Sequence, residues 1–115
     1  MIKIGTDIEE ILRFENKDEK FLNRCFHKSE IEYCMKHKNY AQNFAGRFCA
    51  KEALAKAVGH AGSWLDAEII NNEKGKPEVI LYGGLKDELA GAKIDVSISH
   101  CKNYATATVI IYEEN

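Results

Sequence analysis

The segment from about Tyr40 to Val58 constrains the fold more than any other part of this sequence. It predicts one long helix, which Gly59 and Gly62 then end. On a helical wheel this helix has no wide solvated face, because its charged side chains fall between apolar neighbours. Charges in such surroundings are costly unless they are paired or bind a metal ion or a ligand.

Two interpretations of these charges are open. Glu52 and Lys56 lie four residues apart and would form a surface ion pair worth about 0.2–0.5 kcal/mol. The helix alone favours this pair. The alternative is a role in binding a ligand or a metal ion, and Arg47, which falls between Leu54 and Val58 on the wheel, raises the same question.

The rest of the chain changes from helical to strand periodicity after Trp64. The expected elements are a strand at 3–8, a helical segment from 9 to about 25, a helix from a capping box at 29–32 to about 38, strands at 67–71 and 78–82, a helical turn or two at 85–90, and strands at 94–99 and 104–112. Helices first and hairpins later indicate one α+β domain, residues 1–115, with a mostly antiparallel sheet.

Composition and charge limit the classes of partner. No apolar run approaches the ~20 residues of a membrane span, and the start MIKIGTDIEE carries acids where a signal peptide needs apolar residues. We therefore expect a cytoplasmic protein without a membrane partner. Residues 11–56 hold ten Lys and Arg against six Asp and Glu, whereas residues 57–115 hold five against nine. The basic half suggests an acidic partner or a phosphorylated ligand, whereas nucleic acid would require a more basic domain.

The four cysteines (Cys25, Cys34, Cys49, Cys101) form no C-x-x-C pair. Their spacing does not fit zinc, and we expect reduced thiols that serve as small buried hydrophobic residues.

Asp7 is a second candidate site residue, on the polar side of the first strand. By itself, a carboxylate at the end of a strand commonly caps the helix that follows. Paired in space with Glu52, it would instead offer oxygen ligands to Mg²⁺, which takes one or two protein carboxylates and completes its coordination with water and substrate phosphate. Sequence spacing does not decide whether the two residues meet.

Two later segments carry polar groups next to turns. Ser97, Ser99 and His100 raise the possibility of a hydrolase with His100 as base, but the serines lie within a strand and no G-x-S-x-G elbow is present. Lys76 follows Gly75 in a turn that could hold its ammonium against a phosphate, although the segment is not a P-loop.

Four segments together resemble one family, the holo-acyl-carrier-protein synthases of the 4'-phosphopantetheinyl transferase superfamily. Residues 5–11, G-T-D-I-E-E-I, resemble its opening G-x-D-I-x-x-I motif. Residues 47–57, R-F-C-A-K-E-A-L-A-K-A, resemble its R-F-A-A-K-E-A-x-x-K-A helix. Residues 72–77 resemble its N-x-x-G-K-P turn, and residues 96–100 resemble its V-S-I-S-H strand end. The motifs occur in the family's order in a chain of the family's length.

The resemblance implies a phosphopantetheinyl transferase fold, a homotrimer with three sites at subunit interfaces, and Mg²⁺ as cofactor. The implied reaction moves 4'-phosphopantetheine from coenzyme A, the substrate, to a serine of apo acyl carrier protein, in fatty acid biosynthesis. Asp7 and Glu52 match the family's metal-binding acids, and Lys56 matches a lysine near the transferred phosphate. These three are the implied catalytic residues.

The resemblance also assigns binding residues. Arg47 and His100 match residues that contact the nucleotide phosphates, and Lys76 lies in the turn near the coenzyme. Arg13 matches a basic position where the carrier docks. Among the departures, Cys49 replaces a residue that is usually Ala, and residues 59–64 form a shorter stretch than in many relatives.

Two rival functions remain at this stage. The first is a non-catalytic module that binds coenzyme A or a nucleotide, and the second is a purely structural trimer subunit. The intact Asp7, Glu52 and Lys56 favour the enzyme, because loss of metal ligands is the expected mark of an inactive relative.

Overall fold

Strand β5, the last strand of the chain, is the middle strand of the larger of two sheets in the computed structural model, which describes residues 1–60 and 62–113. The elements in chain order are β1 (Ile2–Glu10), a 3-10 turn (Ile11–Phe14), α1 (Glu19–Cys25), α2 (Lys28–Met35), α3 (Tyr40–Val58), a second 3-10 turn (Trp64–Asp66), β2 (Ala67–Asn71), β3 (Pro77–Leu81), α4 (Gly83–Glu88), β4 (Lys93–His100) and β5 (Tyr104–Tyr112). The expected α+β class with antiparallel sheets is confirmed.

Antiparallel pairing fixes where the first strand lies. β5 pairs with β1 on one side and with β4 on the other, while β2 and β3 form a separate hairpin. The register places Asp7 opposite Ala107, and Ala107 opposite Ile98 of β4. Residues from the two ends of the chain therefore lie side by side.

Helix α3 packs against this sheet at very short range. A Cβ atom built on Gly5 would lie 1.9 Å from the backbone oxygen of Ala53 and 2.7 Å from the backbone nitrogen of Ala57, so only glycine permits this approach. Small residues of α3 and alternate residues of β5 form the buried contact, among them Ala45, Cys49, Ala53, Ala107 and Val109. The tight contact brings Asp7, two residues after Gly5, to the C-terminal half of α3.

The opposite face of β1 is apolar and exposed. Ile2, Ile4 and Ile8 alternate with the residues that face α3, as the period of two predicts. Their exposed fractions are 79%, 65% and 63%. Ile110 of β5 and Tyr104 add further exposed apolar surface to the same sheet. A row of exposed isoleucines on a strand is typical of a surface that another chain covers.

Several elements match their predicted bounds. α3, β2 and β5 match, and the other strands and α4 agree to within a few residues. Gly59 ends α3 with a φ of +97°, the left-handed conformation that favours glycine at a helix end. Gly75 likewise has a φ of +83° in the turn before β3. None of the helices in the described part of the chain is long and apolar enough to span a membrane.

Three local predictions were wrong. The helical segment expected from residue 9 does not begin there, because the ladder with β5 continues to Glu10. Asp7 lies within that ladder and caps no helix; the first helix is capped by Asp18, which accepts from the Phe21 N–H at 2.8 Å. Cys101 is exposed in the turn after β4, whereas Cys25, Cys34 and Cys49 are buried as expected.

The capping box of α2 is also shifted from its predicted position. The N-cap is His27, not Ser29, and the Glu30 carboxylate accepts a hydrogen bond from the His27 N–H at 2.8 Å. The helix ends at Met35, three residues before the predicted end. Glu30 is the third residue of α2. Its carboxylate faces the interior, where it forms an ion pair with Lys51.

Candidate functional site

The strand–helix contact gathers three of the predicted site residues, Asp7, Glu52 and Lys56, which we call the acidic half-site. The Lys56 ammonium donates to Asp7 Oδ1 at 3.1 Å and to the Thr6 carbonyl at 3.0 Å. Burial raises the pKa of Glu52, the charge of Asp7 raises it further, and Lys56 opposes both. In the described part of the chain Lys56 pairs with Asp7 and not with Glu52, so the interpretation as a simple helical surface pair was wrong.

One oxygen of the acidic half-site lacks a partner. Asp7 Oδ2 is buried and has no hydrogen-bond partner among the described residues, although Oδ1 of the same carboxylate binds Lys56. An unpaired buried carboxylate oxygen is costly, and such exceptions commonly mark a site that an ion or a ligand completes. Asp7 and Glu52 offer carboxylate oxygens, the ligand type that Mg²⁺ prefers. The residues present therefore fit a magnesium ion.

Sequence reasoning missed Glu9. Its side chain faces α3 like that of Asp7, two residues earlier, and is only 11% exposed. Burial raises the pKa of Glu9 to about 7 and the nearby Asp7 carboxylate raises it further, while Arg13 opposes this rise. Glu9 also forms an ion pair with Arg13. The alternation that identified Asp7 extends to Glu9, but the predicted helix from residue 9 hid it.

Glu9 does not complete a cage of metal ligands. Among residues 1–60 and 62–113, no three or more His, Cys, Asp or Glu side chains converge as ligands for one ion. Asp7 and Glu52 are two carboxylates that could hold Mg²⁺, an ion usually bound through one or two protein carboxylates. Glu9 follows Asp7 on the same face of β1, and its carboxylate forms an ion pair with Arg13.

Arg47 and His100 meet at a different place, which we call the basic half-site. Arg47 is buried; its Nη2 donates to Asn71 Oδ1 at 2.6 Å, and its guanidinium carbon lies 4.2 Å from the centre of the Tyr33 ring. His100, at the end of β4, lies 3.1 Å from the side-chain amide nitrogen of Gln42. Both residues line a cavity of about 170 Å³, which also includes Asn43, Gly75 and Ile98.

The guanidinium of Arg47 is only partly paired. The Nε of Arg47 is buried without a hydrogen-bond partner among the described residues. A guanidinium held by stacking on Tyr33 and by Asn71 is a preorganised anion-binding group. The structure thus brings Arg47 and His100 together in an arrangement that can bind phosphate.

Lys76 lies outside that cavity. Its ammonium donates to Asp95 Oδ1 at 2.8 Å and to the Val96 carbonyl at 3.4 Å, and it lines a separate cavity with these residues. The hydrogen bond from Lys76 lowers the pKa of Asp95. Within one chain the structure therefore does not bring the Lys76 side chain to either half-site.

The two half-sites face different directions within one chain. Arg47 and Glu52 are five residues apart on α3, about 7.5 Å along the helix axis and about 140° around it. A separate cavity of about 110 Å³ beside Glu52 is lined by Lys51, Ser63 and Trp64. One chain therefore presents an acidic and a basic half-site that do not form a common pocket.

A buried ion pair, also missed from the sequence, supports the acidic half-site. Lys51 Nζ lies 2.7 Å from Glu30 Oε1 and donates to the Cys25 and Trp64 carbonyls at 2.8 and 3.2 Å. Glu30 Oε2 accepts from the Ile69 N–H at 3.0 Å. Burial lowers the pKa of Lys51 and the Glu30 charge opposes that effect. The wheel could have revealed Lys51, because it falls among apolar neighbours just as Glu52 does.

Known proteins similar to this chain match nearly its whole length. The profile of the 4'-phosphopantetheinyl transferase superfamily matches residues 3–109. The chain is 46% identical to the holo-[acyl-carrier-protein] synthase of Protochlamydia amoebophila, over 93% of this chain and 94% of that protein. It is 35% identical to the crystal structure of a holo-(acyl-carrier-protein) synthase from Bacillus anthracis in complex with CoA (3',5'-ADP), with a TM-score of 0.84 over 97% of this chain and 96% of the other. The Helicobacter pylori synthase in complex with coenzyme A is also 35% identical, with a TM-score of 0.82 over 94% and 98%.

Proposed function

The chain belongs to the 4'-phosphopantetheinyl transferase superfamily, and we propose that its acidic and basic half-sites, contributed by neighbouring copies, form its active site. It is a holo-acyl-carrier-protein synthase. It transfers 4'-phosphopantetheine from coenzyme A to a serine of apo acyl carrier protein and releases adenosine 3',5'-bisphosphate. The rival interpretation as a non-catalytic binding module is therefore set aside. The cytoplasmic location expected from the sequence stays a prediction.

The buried Asp7 Oδ2 without a partner carries the proposal for catalysis. Asp7 and Glu52 would hold Mg²⁺, which supplies positive charge to the pyrophosphate of coenzyme A when bound. Phosphoryl transfer depends mainly on positioning and on charge stabilisation, and both are available at a rigid strand–helix contact. Asp7 and Glu52 are fixed there by the close approach at Gly5.

Lys56 and Asp7 would act on the reacting groups. The Lys56 side chain is 55% exposed, so its ammonium can reach a phosphate while its stem remains on α3. We assign it to stabilise charge on the transferring phosphoryl group. A neutral serine hydroxyl is a poor nucleophile and needs a base. Asp7, next to Lys56, is our candidate for accepting the serine proton.

The exposed face of β1 supports a trimer. The isoleucines of this face are more exposed than a monomeric sheet would favour. Arg47 of the basic half-site and Glu52 of the acidic half-site lie about 140° apart around α3, so one copy does not bring them together. A threefold assembly would cover the face and place the basic half-site of one copy against the acidic half-site of the next. In that assembly Arg47, His100 and Lys76 would bind the nucleotide phosphates. Arg13, 58% exposed beside the acidic half-site, would receive the acidic carrier.

Mass spectrometry of an apo carrier protein tests this proposal. Incubation with the protein, coenzyme A and Mg²⁺ should add one phosphopantetheine group to the carrier. Asp7→Asn and Glu52→Gln should each abolish the addition, because each removes a proposed metal ligand, while circular dichroism shows an intact fold. Glu32→Gln is the matched control, since the Glu32 side chain is 61% exposed on α2. Near wild-type transfer by both site variants would contradict the metal assignment.

A further inference from the structure

Arg47 is a buried cation that is held only by neutral groups. The residue is 5% exposed, its Nη2 donates to Asn71 Oδ1, and its guanidinium lies over the ring of Tyr33. Among the described residues, no carboxylate forms an ion pair with Arg47. A buried charge without a counter-charge is costly. The arrangement therefore keeps the positive charge of Arg47 available for an anion from outside the chain.

Asn71 uses both ends of its side-chain amide. Its Oδ1 accepts from Arg47 at 2.6 Å, and its Nδ2 donates to the Gly75 carbonyl at 3.0 Å. Asn71 is the last residue of β2, and Gly75 lies in the turn that leads to β3. The amide therefore connects the guanidinium of Arg47 to the backbone of the 72–77 turn.

The chemistry of the amide matters as much as its place. An aspartate at position 71 would offer the same acceptor oxygen, but its negative charge would neutralise Arg47 and compete with a phosphate for the guanidinium. Asn71 holds one edge of the guanidinium without adding a charge. The ring of Tyr33 holds the face of the same group, again without a charge.

Resting on the proposed function, we propose that Asn71 is a positioning residue of the basic half-site, which orients Arg47 toward the nucleotide phosphates without neutralising it. Asn71 and Arg47 line the same cavity as His100. Tyr33 restrains the guanidinium from its face. A side chain that is already held in its bound orientation loses less freedom when the ligand binds, which strengthens binding. Asn71 acts on the nucleotide only through Arg47.

Binding of adenosine 3',5'-bisphosphate tests the choice of an amide. Calorimetry without divalent ions or carrier measures the affinity of the full chain. Asn71→Asp should weaken binding by at least about tenfold, because a carboxylate in contact with Arg47 cancels the charge that attracts the phosphate.

Asn72→Asp is the matched control, because it makes the same chemical change one residue later. Asn72 Oδ1 accepts from the N–H groups of Lys74 and Lys76 at 2.9 and 3.0 Å, and a carboxylate can accept both hydrogen bonds as well. This variant should bind the nucleotide within about threefold of wild type. Equal weakening by the two aspartates would reflect a general effect of charge and would refute the proposal.

Hydrogen exchange at Arg47 reports directly on the position of its side chain. The sequence contains three arginines, Arg13, Arg24 and Arg47, so their side-chain NMR signals can be assigned by substitution. The Nε–H of Arg47 is buried and should exchange slowly in the wild type. Asn71→Ala should accelerate this exchange by about tenfold, the size expected when one hydrogen bond to a charged group is lost, while circular dichroism shows an intact fold. Unchanged exchange in Asn71→Ala would contradict the positioning role.

Two substitutions of Tyr33 test the contact with its ring. Tyr33→Leu removes the ring and should weaken nucleotide binding by about threefold, as expected for a modest cation–π contact. Tyr33→Phe keeps a ring under the guanidinium and should bind within about twofold of wild type. Equal affinities for the two variants would overturn the part of the proposal that concerns Tyr33.

Arg47→Gln separates this inference from the proposed function. If Arg47→Gln binds adenosine 3',5'-bisphosphate as wild type does, the basic half-site itself is misplaced and both proposals fail. If Arg47→Gln loses binding while Asn71→Asp matches Asn72→Asp, the proposed function stands and the role of Asn71 is refuted.

Discussion

Replacing Lys51 with methionine should destabilise this protein severely, although Lys51 contacts no predicted substrate. Its ammonium is buried and lies 2.7 Å from Glu30 Oε1. Removing one partner of a buried ion pair leaves the other charge uncompensated, which costs about 3–5 kcal/mol. Since domains are commonly stable by about 5–15 kcal/mol, this loss is about a fifth of the total or more. The Cys25 and Trp64 carbonyls lose a donor as well.

Urea unfolding at a fixed protein concentration measures the effect. A fixed concentration is necessary because assembly adds to apparent stability. Circular dichroism reports the helices, and the fluorescence of Trp64, the single tryptophan, reports the segment that Lys51 holds. Lys28→Met is the matched control, because the Lys28 side chain is 90% exposed and its replacement should change stability by less than about 0.5 kcal/mol.

Adding Glu30→Gln to Lys51→Met should recover part of the loss, since no buried charge then remains. Glutamine keeps an oxygen that can accept from the Ile69 N–H. A coupling energy of about 2 kcal/mol or more between the two changes is expected for a contact this close. If the free energy of unfolding of Lys51→Met is within about 1 kcal/mol of the wild-type value, the reasoning is refuted, because an uncompensated buried carboxylate should destabilise the fold by more than that.

Four further outcomes are expected. Ile4→Glu should convert a species that sediments at about three times the 13.0 kDa chain mass into monomers, and a fully active wild-type monomer would contradict the shared site. Gly5→Ala should lower the urea midpoint and the transfer rate, because its Cβ would lie 1.9 Å from the Ala53 oxygen, whereas Gly84→Ala has open space. Arg13→Gln should raise the apparent KM for the carrier and leave coenzyme A affinity, measured by calorimetry without divalent ions, unchanged. Burial raises the pKa of Glu68, but hydrogen bonds from Ser29 and Tyr82 outweigh it and hold the pKa below its usual 4.5. The stability that Glu68 contributes should therefore be fully present above about pH 4.5 and should be lost as the pH falls through the lowered pKa. Tyr82→Phe should make this loss smaller, as measured by urea unfolding at several pH values.

The sequence predicted the elements whose determinants are local. The C-terminal end of α3 was predicted because a sustained helical pattern stops at Gly59, and glycine readily adopts the left-handed conformation found there. The hairpin of β2 and β3 was found because a turn-rich segment separates two short strands. In both cases the pattern and the structure that it determines lie within about 20 residues of each other.

The failures share a different cause. β1 continues through Glu9 because Ala105, almost a hundred residues later, pairs with it, and no local signal reports that partner. Glu30 pairs with Lys51 of α3, and no local signal reports this partner. The sequence therefore predicted a capping box that starts at Ser29, whereas the N-cap is His27. The sequence singled out Asp7 and Glu52 separately and the family resemblance paired them as metal-binding acids, while their meeting in space depends on the close approach at Gly5.

The buried pair and the acidic half-site are mechanically related, because they use consecutive residues of α3. Neighbouring side chains on a helix point about 100° apart, so Lys51 and Glu52 face different directions. Lys51 is fixed by three interactions, to Glu30, Cys25 and Trp64, which determine the rotation of the helix about its axis. Gly5 fixes the distance between that helix and β1. With rotation and distance both set, Glu52 faces Asp7. The buried ion pair of Lys51 thus helps to determine where the proposed metal-binding carboxylate of Glu52 lies.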